Sequence, residues 1–191
     1  MQADSGEATA APPEDDGPPR GLVIAAIVLT LAAIGAVLAF AGSRHTPAAP
    51  VAVAAVPAPQ AESPECQALM ATLPDSLGEN YRRADTAQPT PAGTAAWRGS
   101  GTSEGDPVVL RCGLNRPAEF VVGSPLQMVN GVQWFRLEDP QSPLATWLCV
   151  DRAVYVALTL PTGSGPTPIQ AMADVIDRTM PAMPIRPAPA R

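Results

Sequence analysis

The segment GLVIAAIVLTLAAIGAVLAFAG, Gly21 to Gly42, constrains this chain more than any other feature. Its 22 residues contain no charge, Pro, Asn or Gln. At a helical rise of ~1.5 Å per residue they span the ~30 Å hydrocarbon core of a bilayer. Leu, Ile, Val and Ala occupy every face, so the run lacks the polar stripe of a buried soluble helix. Two roles compete: an uncleaved signal anchor, or a secretory signal cut after Ala39-Phe40-Ala41. The run exceeds the ~7–15 residues of a secretory apolar region, and the tail before it is acidic rather than basic. A single-pass signal anchor is expected.

Basic residues do not orient the span, because Arg20 on one side is matched by Arg44 on the other. The cysteines are more informative. Cys66, Cys112 and Cys149 all follow the span, none forms a C-x-x-C, and the single histidine is His45, so no metal site is expected. A disulfide is the commonest remaining use of well-separated cysteines and persists outside the cytoplasm; buried thiols in a cytosolic domain are the competing reading. Residues 1–20 form an acidic, Pro-rich tail with no core to build. These features read as a cytoplasmic tail at 1–20, a transmembrane helix at 21–42 and an extracytoplasmic remainder.

After the span, residues 43–61 are a Pro/Ala-rich linker, whose stretch Thr46 to Ala61 reaches ~50 Å if extended like polyproline. Residues 181–191, PAMPIRPAPAR, are expected to be a disordered tail. Between them, residues 62–180 are long enough for one domain that buries about two-thirds of its unfolded surface. Ser63 and Pro64 mark a helix start, with Leu69, Met70 and Leu73 on one face before Pro74. The stretch from Arg82 to Pro107 is rich in Gly, Pro, Ser and Thr and reads as a long loop.

Strands follow. PVVLRCG alternates Val108, Leu110 and Cys112 against Val109, Arg111 and Gly113, with Cys112 inward. EFVVG is a second strand, and Asn130-Gly131 is a type I′ hairpin signal between LQMV and VQWFRL. ATWLCV and AVYVALTL flank Asp151-Arg152 as an antiparallel pair. A final amphipathic helix is capped by Thr167, starts at Pro168 and carries Ile169, Met172, Ala173, Ile176 and Met180 on one stripe. The order implies an α+β domain, an antiparallel sheet of five or six strands with two helices on one face. Trp134 and Phe135 are adjacent, so one ring points away from that face and needs cover of its own.

Composition excludes several chemistries. The chain carries −6 formal charge, and residues 62–191 hold 13 Asp plus Glu against 10 Arg, so no nucleic-acid surface is implied. There is no lysine. Gly101-Thr102-Ser103-Glu104-Gly105 matches G-x-S-x-G, but a loop precedes it, a strand follows, and no His or Lys base exists to activate a serine. Gly163-Ser164-Gly165 precedes a helix, yet Pro166 and Pro168 remove anion-binding N–H donors. No cofactor motif is present. Glu104, Asp106, Glu138 and Asp139 leave open a carboxylate-dependent hydrolase acting on wall glycan, although acids at turns are usually solvated. The preferred reading is a noncatalytic envelope domain that binds a partner protein or a cell-wall component. Trp97 and Arg98, in the long loop, are its candidate contact residues.

Cys66, Leu69, Leu73-Pro74, Trp97, Asp106-Pro107, Leu110-Arg111-Cys112-Gly113, Val132, Trp134, Trp147 and Tyr155-Val156 through Pro161 together resemble an uncharacterised actinobacterial family of exported, membrane-anchored proteins, a domain of unknown function. The resemblance implies an envelope location and no activity. It also implies that Cys66 and Cys112 pair. That pairing would tie the first helix to an inward strand position, and Cys149, which departs from the pattern, would stay reduced.

Overall fold

A computed structural model describes residues 20–43, 49–99, 105–138 and 141–190. It divides into two compact units, residues 1–47 and 48–191. The first contains α1 (Arg20–Ser43), apolar on all sides. By length and composition it can cross a membrane, and such a helix near an amino terminus serves as either an anchor or a signal sequence.

The second unit is α+β. Helix α2 (Pro64–Thr72) begins where expected, with Ser63 accepting the Cys66 N–H at 3.3 Å and Pro64 in the first turn. Eight strands follow, β1 (Ser76–Leu77), β2 (Tyr81–Ala84), β3 (Thr94–Gly99), β4 (Val108–Leu114), β5 (Leu126–Val129), β6 (Val132–Glu138), β7 (Leu144–Cys149) and β8 (Tyr155–Pro161). Helix α3 (Thr167–Thr179) ends the series. The sheet is antiparallel throughout, in the order β1-β2-β3-β4-β8-β7-β6-β5.

Among the described residues the expected five or six strands are therefore corrected to eight. The presumed loop from Arg82 holds β2 and β3, and its residues 100–104 lie outside the described set. Strand β3 carries no period-2 signal because both of its faces are covered: Thr94, Ala95, Ala96 and Trp97 are all buried. Conversely, EFVVG is not a strand. Phe120 N–H bonds the Pro117 carbonyl in a turn, and Val121 makes only an isolated bridge to Ala188.

One face of the sheet carries the main core. Leu110, Cys112, Trp134, Cys149, Val156 and Leu158 meet Leu69 of α2 and Ile169, Met172, Ala173 and Ile176 of α3. The α3 stripe is thus buried as expected, but Pro166 rather than Thr167 occupies the cap position, with no side-chain cap bond. Asn130 and Gly131 take φ 43° and 80°, the conformation a type I′ hairpin demands, and Val129 pairs with Val132 around them.

The flanking segments are structured. Val51 is buried against Ala96 and Val109, bridges Thr86, and exchanges hydrogen bonds with Asp85 and Ala87. The described part of the expected linker is therefore a strap on the domain, because Val51 and Val53 cover a shallow, alanine-lined part of the sheet. At the other end, Met183 N–H bonds Asp151, and Ala188 exchanges bonds with Phe120 and Val122. The carboxy-terminal tail is likewise laid along the domain rather than unpacked.

Candidate functional site

The strands' second faces make the site. Alternation turns Val109 and Arg111 of β4, Ala157 and Thr159 of β8, Thr146 and Leu148 of β7, and Phe135 and Leu137 of β6 away from the helices. Register aligns them in two rows. Arg111, Ala157, Leu148 and Phe135 form one; Ala96, Val109, Thr159, Thr146 and Leu137 form the other.

Both ends of this face are covered. The strap covers one end through Val51, while Phe120 seals the other against Phe135, their ring centroids 5.4 Å apart. Trp134 faces the main core and Phe135 this second cluster, so the exposed-ring problem is met by Phe120. Between the two covers lies a groove of about 540 Å³, walled by Val56 and Pro57 of the strap and by Leu114, Asn115 and Pro117. An adjoining pocket of about 390 Å³ shares Leu114 and Asn115 and adds Arg116, Tyr155 and Arg186. The groove's size is that of a small-molecule site, ~300–1,000 Å³.

The groove is mostly apolar with one charge. Thr146 and Thr159 hydroxyls share a hydrogen bond of 2.9 Å, which leaves them partly satisfied by each other. Arg111 is different. It is half-buried, its Nε is sealed from solvent with no acceptor, and among the described residues no carboxylate pairs with it. Burial alone pushes its pKa down, with no opposing acid nearby. Ala157 lies opposite it in the register and lines the same groove.

Arg152 shows how this domain treats a cation that is purely structural. It is fully buried, with Asp151 at 2.9 Å and Asp177 at 2.8 Å and the Asp151 and Gly131 carbonyls at 3.1 Å. Asp151 also accepts the Gln133 N–H at 3.0 Å and the Cys149 thiol at 3.6 Å. The network joins the β5–β6 hairpin, the β7–β8 turn and α3. Arg111 has none of these partners.

The expected contact pair is placed elsewhere. Trp97 is fully buried in β3, donates Nε1–H to the Pro74 carbonyl at 3.0 Å, and carries the Arg83 guanidinium 4.9 Å over its ring. Trp97 is therefore a core residue, not a loop contact. Arg98 points to the opposite face and donates to the Ala49 carbonyl at 2.6 Å, holding the strap. Cys66 and Cys112 form a disulfide with Cα atoms 5.7 Å apart, joining α2 to β4. Cys149 is a buried free thiol whose pKa is raised, chiefly by burial and then by Asp151.

Of the four acids considered for hydrolysis, Asp106 is exposed, Glu104 and Asp139 lie outside the described residues, and nothing is described of the Glu138 side chain. The described residues include no cluster of three or more His, Cys, Asp or Glu able to hold a metal ion. Sequence reading missed the groove. Its one signal was Arg111 in the middle of an otherwise apolar strand.

A family model described as "Protein of unknown function (DUF3515)" matches residues 27–185. Neither the curated proteins nor the solved structures contain a match.

Proposed function

The chain belongs to the family described as protein of unknown function (DUF3515), and from that premise we propose that it is a noncatalytic, membrane-anchored binding domain of the cell envelope. In this reading α1 is a signal anchor, its amino terminus is cytoplasmic, and the α+β unit is extracytoplasmic. The cell is an actinobacterium, as the sequence resemblance implies. The Cys66–Cys112 disulfide supports an oxidising compartment. The observation that carries the binding role is the groove between the strap and the Phe120 loop, mostly apolar and lined by one cation, Arg111, that no carboxylate pairs among the described residues. Binding sites are typically apolar concavities with a few polar groups that fix orientation.

A phosphatase reporter fused after Arg191 should be active and one fused before Gly21 inactive. The purified full chain should release no product from wall glycan. Reporter activity at the amino-terminal fusion alone would overturn the topology, and turnover of glycan would replace the binding role with the hydrolase.

A further inference from the structure

The groove's chemistry narrows its ligand. A neutral apolar guest would bury the Arg111 guanidinium with no counter-charge, a costly arrangement that Arg152 avoids through the Asp151 and Asp177 carboxylates. A small hydrated anion would satisfy Arg111 but leave the apolar wall of Leu137, Leu148 and Ala157 in contact with water. An extended peptide recruits free main-chain donors and acceptors at a sheet edge. The groove floor offers none of that kind, since β4, β8, β7 and β6 are interior strands paired on both sides.

We propose that the groove binds a single-chain amphiphile with an anionic head group, the head on the Arg111 guanidinium and the chain along Leu137, Leu148 and Ala157. A planar guanidinium accepts a carboxylate or a phosphate through paired N–H donors. Arg116 and Arg186, which line the adjoining pocket and form no ion pair among the described residues, add positive potential at the groove's end and favour anion entry. The inference rests on reading the domain as a binding module and specifies what that module takes.

The test uses the full chain in amphipol with a diazirine-bearing palmitate as probe, its adducts mapped by peptide mass spectrometry. Label is expected on β7 and β8 peptides. Unlabelled palmitate and palmitoyl lysophosphatidate should compete, whereas hexadecanol, hexadecyltrimethylammonium, acetate and inorganic phosphate should not. Arg111→Gln should weaken competition by about tenfold or more, the size of a lost charged hydrogen bond. Arg111→Lys should restore part of it, and Arg83→Gln, on the other side of the sheet, should change nothing. If Arg111→Gln fails to fold, the ligand panel on the unaltered chain decides alone. Equal competition by hexadecanol, competition by inorganic phosphate alone, or label confined to α1 peptides overturns the proposal. None of those outcomes bears on topology or glycan turnover, which test the broader reading separately.

Discussion

The Gln60 N–H donates to the Gly113 carbonyl at 3.0 Å, where the strap crosses a bulge in β4. Gly113 has φ +85°, and a Cβ there would collide with the Gln60–Ala61 peptide. Gly113→Ala should therefore cost about 2 kcal/mol or more, the left-handed penalty of ~1–2 kcal/mol plus displacement of the strap. Denaturant unfolding measures it. A loss under ~0.5 kcal/mol would show that the strap does not hold the bulge.

Four consecutive residues, Leu110-Arg111-Cys112-Gly113, thus serve the core, the groove, the disulfide and the strap crossing. Strand alternation made Leu110 and Cys112 legible as inward positions, and Asn130-Gly131 signalled its hairpin through its turn chemistry. The strap was not legible, because Val51 and Val53 sit in a Pro/Ala stretch with no periodicity, and what makes them cover is the small apolar surface of Ala84, Ala96 and Val109 beneath them. Trp97 was misplaced for the same reason. A strand made mostly of small residues and covered on both faces carries no period-2 signal, so its tryptophan reads as a loop residue.

Replacing both Cys66 and Cys112 by alanine should destabilise the domain by up to ~4 kcal/mol, since the bond spans a sequence separation of 46. Peptide mapping under nonreducing conditions should join these two cysteines and leave Cys149 free. A bridge to Cys149 would contradict the structure.

Asp151→Ala should be severe, about 3–5 kcal/mol, because it leaves the buried Arg152 with one carboxylate and strips the Gln133 N–H of its acceptor. Thermal unfolding should report a large fall. Asp177→Asn should cost less, since Asp177 is half exposed and solvent already screens its pairing.

Cys149 should give stability an alkaline limb. Its folded pKa is raised above the ordinary value near 9.0, so the fold holds the neutral thiol while the unfolded chain can ionise it. The stabilisation is full below about pH 9 and falls as pH rises above that value. Denaturant midpoints from pH 7 to 11, compared with those of Cys149→Ala, should show this limb only in the unaltered chain. The native thiol should also resist alkylation until the domain unfolds.

In the proposed binding mode, ligand reaches the domain through the groove rather than the helical face. A photo-reactive amino acid placed at Thr159, on the groove wall, and in a second variant at Ala68, on the exposed side of α2, tests it in intact cells. A discrete lipid-mass adduct is expected from Thr159 that disappears with Arg111→Gln, and none is expected from Ala68. Adducts from Ala68 alone, or Thr159 adducts indifferent to Arg111, would contradict it.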